Sequence, residues 1–544
     1  MEKRAFLAIA LSLLVLVLYQ EWITRQYGTT PPPPQQVEKT EPGKPQTAES
    51  VPPSVSSPSA AAEIKPVQTP AGQPAKDIRI ETDNYVAVLT SQGARLKSFK
   101  FKHYRATGDP KSPPFEMIPT VPGVPYPLGV KWNNAASVDD SDIVYRVDAE
   151  DLKLSGDTQG TLIFQGIAQG GATITKKLTF SGARYPIDLQ VTAKAADGSA
   201  LAPALMLTAP SNHQNPSPDA PFEGLIAVVD NKIKREHVSD ELKQGKEFTG
   251  DLSWAGFGYT YFFMGLVPAD GAGYKLTLQE FGPALILTVA EPSGKSETRG
   301  RYTLFAGPKE LSVLESVGKG MERAIDFGYF GFISIPFLYV LHFFHRFTGS
   351  YGIDIILLTV VLKLLTAPLT HKSYVSMKQM QKLQPQMEKL KEKYKDDREK
   401  LNKEIMEMYR RNGVNPLGGC LPMVVQFPVF IGLYNALYIP IELRHASFLW
   451  IQDLSRPDWE SLPFTLAGWH LGVPVLTILM GASMFLQQWM TPTAGDPNQR
   501  KLMLMMPLIF TFMFVTFPAG LTIYWLVNNV LSIAQQYWIN RRVK

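Results

Sequence analysis

The chain has 544 residues, with 54 Lys and Arg against 49 Asp and Glu, and a single cysteine. It is too long for one ordinary domain, and Cys420 alone cannot form an intrachain disulfide. The net charge of +5 is too small to indicate a nucleic-acid partner. Although the mean hydropathy is near zero, apolar residues are concentrated in the first twenty residues and after about residue 327.

Residues 1–22 are predicted to be an N-terminal transmembrane anchor. Lys3 and Arg4 precede fifteen residues without charge, and no small-x-small cleavage site follows them. Because basic residues favour the cytoplasmic side of a span, the N-terminus is predicted to be cytoplasmic. A cleaved signal peptide is the alternative.

Residues 23–76 are predicted to be a Pro-rich disordered linker. Residues 31–75 contain twelve prolines and no aromatic residue. Such a segment cannot bury enough apolar surface to offset the entropy lost on folding. The linker therefore separates the anchor from the domain that follows it.

Residues 77–315 are predicted to form an all-β sandwich domain. Short runs of branched and aromatic residues, bounded by turn residues, are typical of strands. Gly170 and Gly171 separate two of these runs, as in a hairpin. One short helix is predicted at Asp240–Lys246. The predicted strands are Tyr85–Leu89, Thr161–Gly166, Thr173–Phe180, Ile187–Val191, Tyr274–Leu278 and Leu285–Val289.

From about residue 316 onward the pattern is helical and apolar. Residues 316–349 are predicted to hold an amphipathic helix in the membrane interface, because Pro336 and several basic residues interrupt its Phe-rich run, 327–347. Five spans follow, the first within residues 350–370 and the others within residues 416–544. The predicted spans are Ile353–Leu369, Leu417–Tyr438, Val473–Met490, Leu502–Phe517 and Leu521–Trp538. With the anchor they make six transmembrane helices.

The distribution of basic residues predicts the side of the membrane that each loop occupies. The loop 371–415 carries twelve Lys and Arg, whereas the loop 439–465 carries only Arg444 and Arg456. The positive-inside rule therefore places the loop 371–415 and both termini in the cytoplasm, and the β-domain outside. The predicted fold class is a polytopic α-helical membrane protein with six transmembrane helices and a large periplasmic all-β sandwich domain.

The cytoplasmic loop 371–415 is predicted to form a helical hairpin. Apolar residues, several of them Met, recur at spacings of three and four on both sides of a charged turn at residues 395–398. Pro385 is predicted to bend the first helix. The apolar faces either pair with each other or receive apolar substrates, since methionine adapts to varied partners.

Lys363 is the most informative residue of the sequence. It lies near the middle of the first of the five spans, where an ammonium group is costly unless it finds water or a partner. Thr359, Thr366 and Thr370 share its helix face and extend a polar stripe. Lys363 is therefore predicted to line a hydrated cavity. Snorkelling of the side chain to the interface is the alternative.

Polar residues on two other spans favour the same cavity. Gln426 lies in mid-span, and one face of the last span carries Tyr524, Asn528, Ser532 and Gln535. Simple hydrogen bonding between helices is the alternative role of each residue. The span 502–517 would be about 24 Å long at ~1.5 Å per residue, less than a hydrocarbon core of roughly 30 Å. A short span thins the bilayer, which lowers the cost of moving a polar segment across.

The search for catalytic and metal-binding motifs is negative. The sequence contains no G-x-x-x-x-G-K-[ST], H-E-x-x-H or G-x-S-x-G pattern, and His342 and His345 lack a third ligand. No metal, cofactor or nucleotide site is predicted, and the chain is not predicted to be an enzyme. A channel or small-solute transporter is one alternative, which the lack of an internal repeat disfavours. An enzyme with its active site in the β-domain is another.

Three motifs resemble the signature stretches of YidC-type membrane protein insertases, a family with mitochondrial and chloroplast relatives. They are Asn415-Pro-Leu-Gly-Gly-Cys420 followed by Gln426, Pro428 and Phe430, then Phe517-Pro-Ala-Gly-Leu521 with Tyr524, and Lys382-Leu-Gln-Pro-Gln386. The similarity covers the whole chain and fits the Gram-negative form. It implies insertion and folding assistance of inner-membrane proteins, alone or with the Sec translocon and its accessory subunits.

The resemblance also implies the residues of a substrate groove. Its positive residue is arginine in many members, and the matching position here is Lys363, which keeps the charge without the bidentate fork. Substrate contacts of the family match Thr359, Tyr524 and Trp525, with Gln426 near the groove. The helix face described above adds Asn528 and Ser532.

The implied partners are nascent membrane proteins and the lipid bilayer. Some relatives bind ribosomes through a long basic C-terminal tail, whereas this chain ends two residues after Arg542. Ribosome docking is therefore expected to rely on the short cytoplasmic loops. The fold of the family's β-domain resembles a sugar mutarotase, so the enzyme alternative is one that acts on sugars.

Overall fold

The computed structural model describes residues 74–109, 111–134, 136–147, 150–168, 171–197, 203–211, 222–290, 297–395, 397–414, 421–466, 469–491 and 497–542. The predicted anchor, nearly all of the predicted linker and the motif at residues 415–420 lie outside the described residues. The described chain comprises a β-domain, residues 74–308, followed by a helical region, residues 309–542.

Three sheets build the β-domain. Its strands are β1 (Asp77–Glu81), β2 (Tyr85–Thr90), β3 (Arg95–Arg105), β4 (Pro114–Glu116), β5 (Gly129–Asn134), β6 (Ala136–Asp139), β7 (Arg146–Val147), β8 (Leu152–Lys153), β9 (Gln159–Ile167), β10 (Thr173–Ser181), β11 (Ile187–Lys194), β12 (Pro203–Pro210), β13 (Phe222–Val229), β14 (Lys232–Glu236), β15 (Lys246–Gly250), β16 (Leu252–Tyr259), β17 (Phe262–Pro268), β18 (Tyr274–Phe281), β19 (Ala284–Ala290) and β20 (Glu297–Pro308). The strand orders are β4-β3-β2-β1-β8, β14-β13-β16-β17-β20-β11-β10-β9-β7 and β15-β18-β19-β12-β5-β6.

Alternating burial explains most of these strands. In β10 and β11 every second side chain points into the core, as Ile174 and Leu189 do, while the residues between them face outward. The inward side chains of the three sheets form one continuous core. Trp254 and Phe262 are among the largest fully buried side chains of that core.

The six predicted strands are confirmed, and so is the hairpin. Strands β9 and β10 pair antiparallel around Gly171, whose φ of +77° lies in the left-handed region that glycine tolerates. The predicted helix at Asp240–Lys246 is wrong, because Asp240–Lys243 form a single 3-10 turn and Lys246 begins β15. Pairing of β15 with β18 outweighs the weak local helical preference. Strands β12 and β17 were not predicted, because they are buried along their whole length and lack alternation.

A group of buried charges joins the sheets at the centre of the β-domain. Lys176 on β10 is 0% exposed, and its Nζ lies 2.6 Å from Asp140 Oδ2. The same ammonium group donates to the carbonyl oxygens of Gly93 and Leu128, each at 2.6 Å. Arg95 Nη2 binds Asp140 Oδ1 at 3.2 Å from the other side. Burial lowers the pKa of Lys176, and the neighbouring carboxylate opposes that shift.

The helical region begins at the edge of the β-domain. Leu311 and Leu314 of its first helix belong to the β-domain core. The helices are α1 (Leu311–Val317), α2 (Gly331–Thr348), α3 (Tyr351–Lys382), α4 (Gln384–Lys393), α5 (Arg398–Arg411), α6 (Leu421–Tyr438), α7 (Val475–Met490), α8 (Pro497–Phe514) and α9 (Ala519–Arg542). The α6–α7 loop, residues 439–474, contains a hairpin of β21 (Pro463–Leu466) and β22 (Trp469–Gly472).

The described helices differ in how well their length and hydropathy fit a membrane span. Gly328–Thr348 and Tyr351–Lys382 are long and apolar enough to cross a membrane, whereas Val424–Tyr438, Val475–Met490 and Met503–Phe514 are shorter apolar helices. The first of these segments is the one that the sequence predicts to lie in the interface. The count of six transmembrane helices and the interfacial position of α2 therefore stay predictions.

The loop 371–415, predicted to be cytoplasmic, contains a helical hairpin whose two helices pack together. Buried side chains from α4 and α5, among them Met387 and Met408, share a small apolar cluster, which agrees with self-pairing. Asp397 caps α5 by accepting from the Lys400 backbone N–H at 3.0 Å. The predicted bend is instead a break, since α3 ends at Lys382 and Pro385 lies in the first turn of α4.

Candidate substrate groove

Helix α9 positions most of the predicted groove residues. It packs against α7 and α3 and also contacts α6. Tyr524, Asn528 and Ser532 lie four residues apart along α9 and therefore share one face of the helix. The side chains of this face meet α6 near Tyr524 and α3 near Ser532.

Lys363 reaches across from α3 to α9. Its Nζ donates to Ser532 Oγ at 2.5 Å, and Ser532 Oγ in turn donates to the Asn528 carbonyl oxygen at 2.7 Å. Ser532 is 3% exposed, whereas Lys363 is only partly buried. Within the part of the chain that the structure describes, no carboxylate forms an ion pair with Lys363. The contact therefore joins a cation to a neutral hydroxyl.

A second contact joins α6 to the same face of α9. Gln426 Nε2 donates to the Tyr524 hydroxyl, and Tyr524 is 2% exposed. Gln426 lies two residues before Pro428, which removes one backbone donor from the helix interior. The structure thus brings Lys363 to Ser532 and Gln426 to Tyr524, although the members of each pair are far apart in sequence.

The other residues of the α3 stripe bond within their own helix. Thr359 is 1% exposed and donates to the Ile355 carbonyl oxygen at 2.6 Å. Thr366 and Thr370 donate in the same way to carbonyl oxygens one turn earlier. Such bonds satisfy the hydroxyl without involving a second helix. Of the four stripe residues, Lys363 is the one whose side chain forms a hydrogen bond to another helix among the described residues.

Trp525 belongs to an aromatic cluster rather than to the polar face of α9. Its ring centroid lies 5.3 Å from that of Phe430, 6.3 Å from that of Phe510 and 5.0 Å from that of Phe514. These rings come from α6 and α8, so Trp525 fastens α9 to both helices. The structure does not bring Trp525 into the Lys363–Ser532 contact.

Sequence reasoning missed two further buried polar residues of α9. Asn529 Nδ2 donates to Ser483 Oγ on α7 at 3.0 Å, and Gln536 Nε2 donates to the Met490 carbonyl oxygen at 2.7 Å. Asn529 and Gln536 are 3% and 1% exposed. The i, i+7 spacing of these two amides was the available signal. They hold α7 to α9, and at three and four residues from Ser532 they lie beside it on the helix surface.

Comparison with known proteins identifies the family. The model described as YidC periplasmic domain matches residues 77–340, and the model described as 60Kd inner membrane protein matches residues 343–544. A membrane protein insertase YidC of Syntrophus aciditrophicus is 40% identical over 568 residues, which cover 100% of both chains. A protein of the same name from Geobacter metallireducens is 39% identical, and the match covers 100% of this chain and 99% of that protein.

Among solved structures, a crystal structure of an active YidC insertase with its first transmembrane domain resolved matches 86% of this chain and 93% of its own. The sequence identity of that match is 17% and the TM-score is 0.37. The two family models and the identity over the full chain decide the assignment. The chain belongs to the YidC family of membrane protein insertases.

Proposed function

We propose that this insertase moves transmembrane segments into the bacterial inner membrane through a hydrated groove formed by α3, α6 and α9, with Lys363 as its cation. The observation that carries the proposal is the contact of this ammonium group with the neutral Ser532 hydroxyl. A charge without a counter-ion draws water to it inside the bilayer. It also attracts the acidic and polar parts of a substrate in a low dielectric.

A short helix beside the groove supports the proposal. The apolar run of α8 after Lys501 ends with the helix at Phe514, so it spans about 20 Å at ~1.5 Å per residue. A hydrocarbon core of roughly 30 Å must thin to match it. Thinning shortens the path over which a polar terminus leaves water. The groove and the thinned bilayer together lower the barrier to insertion.

As a member of this family, the chain is a multi-pass protein of the inner membrane with a periplasmic β-rich domain. The groove residues of the proposal are Lys363, Thr359, Gln426, Tyr524, Trp525, Asn528 and Ser532. Nascent membrane proteins enter the groove from the cytoplasm, either directly or from the Sec translocon. Ribosome docking would use the cytoplasmic loops. No cofactor takes part in this mechanism.

Reconstitution tests the proposal. The purified chain alone, placed in liposomes, is expected to insert a short single-span substrate, measured by protease protection of the translocated end. Liposomes without the protein serve as the control for spontaneous insertion. Protection no greater than in empty liposomes would contradict the proposal.

Removing most of the β-domain is expected to leave insertion largely intact. The groove residues all lie in the helical region, so deletion of residues 80–300 takes none of them away. The same protease-protection measurement checks this result. An enzyme whose active site lies in the β-domain would instead lose all function, and a complete loss would favour that alternative.

Cysteine labelling is expected to place the two long loops on opposite sides of the membrane. Gln386 on α4 and Gln452 in the α6–α7 loop are both exposed. In a Cys420→Ser background, Gln386→Cys should react with an impermeant maleimide only from the cytoplasmic side. Gln452→Cys should react only from the periplasmic side. Reaction of both from one side would refute the proposed orientation.

A further inference from the structure

The α6–α7 loop inserts one cation into the β-domain. Arg444 is 8% exposed. Its Nη2 donates to the carbonyl oxygens of Arg105 at 2.9 Å and Ala106 at 3.1 Å. These carbonyl groups lie at and just beyond the end of β3. A side chain of the loop thus completes the hydrogen bonding of β-domain backbone.

Aromatic rings of the β-domain surround the same guanidinium. Its central carbon lies 5.6 Å from the ring centroid of Tyr261, 5.8 Å from that of Phe262 and 6.0 Å from that of Phe115. Phe262 and Phe115 stack on each other with centroids 4.2 Å apart. Cation–π attraction is strongest where water is excluded, as it is here. Burial lowers the pKa of Arg444 for the same reason.

The same loop also forms backbone hydrogen bonds with the start of α9. The backbone N–H of Ala519 donates to the Arg456 carbonyl oxygen at 2.7 Å, and that of Gly520 donates to the Leu454 carbonyl oxygen at 2.9 Å. Donors at a helix N-terminus lack partners within the helix, so an external acceptor fixes the helix end. The loop therefore determines where α9 begins.

The loop also caps α7. Asp458 is 1% exposed. Its carboxylate accepts from the Leu476 backbone N–H at 2.8 Å and from the Thr477 hydroxyl at 2.7 Å. A carboxylate in this position is favoured by the helix dipole. One loop thus holds the adjoining ends of α7 and α9.

There is little room for the loop to shift against the helices. A Cβ on Gly520 would lie 3.3 Å from the Leu454 carbonyl oxygen, and a Cβ on Gly352 of α3 would overlap the Phe448 ring. Leu454 is fully buried in the same apolar cluster as Tyr524. Close-packed elements transmit displacement instead of absorbing it. A movement of the loop would therefore displace α9.

We propose that Arg444 is a positioning residue that acts on the groove through the α6–α7 loop. It fixes the loop against the β-domain, and the loop fixes the first turn of α9. Tyr524 lies four residues after Gly520, about 6 Å along the helix axis. The Gln426–Tyr524 contact thus shifts when Arg444 is released, although the helices alone form the groove. The inference rests on the proposed function of the groove, but the position of the loop and of α9 is measured without an insertion assay.

Distances between spin labels test the docking step. Labels are attached at Asp157→Cys, in an exposed turn of the β-domain, and at Gln452→Cys, in a Cys420→Ser background. Arg444→Gln is expected to broaden the distance distribution. The control is Arg323→Gln. Arg323 also binds the β-domain, at 3.0 Å from Asn231, but it does not belong to the α6–α7 loop. Its replacement should therefore leave the distance distribution narrow. An unchanged distribution in Arg444→Gln would overturn the docking step.

Cysteine reactivity tests the positioning step. In the same background without the labels, Asn528→Cys reports on the groove face of α9. Arg444→Gln is expected to change its rate of modification by a water-soluble thiol reagent by about fivefold, the low end of couplings between sites. Arg323→Gln should leave that rate unchanged. Broadened spin-label distances with an unchanged rate at Asn528→Cys would overturn the inference.

Arg444→Lys keeps the test decisive if Arg444→Gln does not fold. Lysine retains the charge and a donor but not the planar group that lies over three rings. Arg444→Lys is therefore expected to give intermediate distances and rates, and parental values would contradict the role of the rings. Neither readout requires insertion. If Lys363→Glu inserts as well as the parent chain while Arg444→Gln changes both readouts, the proposed function fails and this inference stands.

Discussion

Lys363→Glu is expected to lower insertion of a short single-span substrate by about tenfold or more, which corresponds to a barrier higher by ~1.4 kcal/mol. The reversed charge would repel acidic and polar ends that the ammonium attracts. Lys363→Arg is expected to remain active. The contact of Lys363 is a single hydroxyl, Ser532 Oγ at 2.5 Å, so the site does not call for the bidentate geometry that a carboxylate partner would favour.

The matched control lies on the same helix. Lys372 is an exposed residue of α3, and it lies nine positions beyond Lys363. Lys372→Glu makes the same chemical change outside the groove and should reduce insertion little. All variants are compared by protease protection of one substrate in the same liposomes. Equal insertion by Lys363→Glu and Lys363→Arg would refute the role of the charge.

The second large effect is expected in the β-domain. Lys176→Met should lower the free energy of unfolding of this domain by about 3–5 kcal/mol, the usual cost of removing one member of a buried ion pair. The loss leaves Asp140 buried without its ammonium partner at 2.6 Å. The carbonyl oxygens of Gly93 and Leu128 also lose a donor. An unpaired buried acceptor adds to the penalty.

Lys177→Met provides the control for that variant. The two lysines are adjacent on β10, but Lys177 faces outward and is exposed. Its replacement should change stability by about 0.5 kcal/mol or less. Pulse proteolysis of the detergent-solubilised chain in increasing urea reports the unfolded fraction of each variant. Similar urea midpoints for Lys176→Met and Lys177→Met would show that the buried pair adds no stability.

Local periodicity was sufficient to predict an element where one of its faces is buried and the other is not. Strand β10 alternates along its whole length, and its limits were predicted to within one residue. The hairpin helices α4 and α5 likewise follow their three–four spacing, and their apolar faces meet. Strands β12 and β17 were missed because burial on both faces removes the alternation that marks a strand. Lys246 was assigned to a helix because its strand partner, β18, is remote in sequence.

For the candidate site, too, the sequence predicted some features and missed others. Helical spacing placed Lys363 on a polar stripe of α3, and it placed Tyr524 and Ser532 on one face of α9. It did not show that the stripe threonines bond to their own backbone. It also gave Arg444 no role beyond its charge. The carbonyl groups that bind Arg444 lie more than 300 residues earlier in the chain.

The sequence by itself determined the β-rich domain with six of its strands, the helical hairpin after α3 and the family. Each of these follows from residue spacing or from contiguous motifs, which are properties of a local stretch. Only the tertiary structure decided that Lys363 meets Ser532, that Gln426 meets Tyr524 and that Arg444 enters the β-domain. Spacing determines which face a side chain occupies, but it carries no information about which distant element packs on that face. That choice depends on the packing of the whole chain.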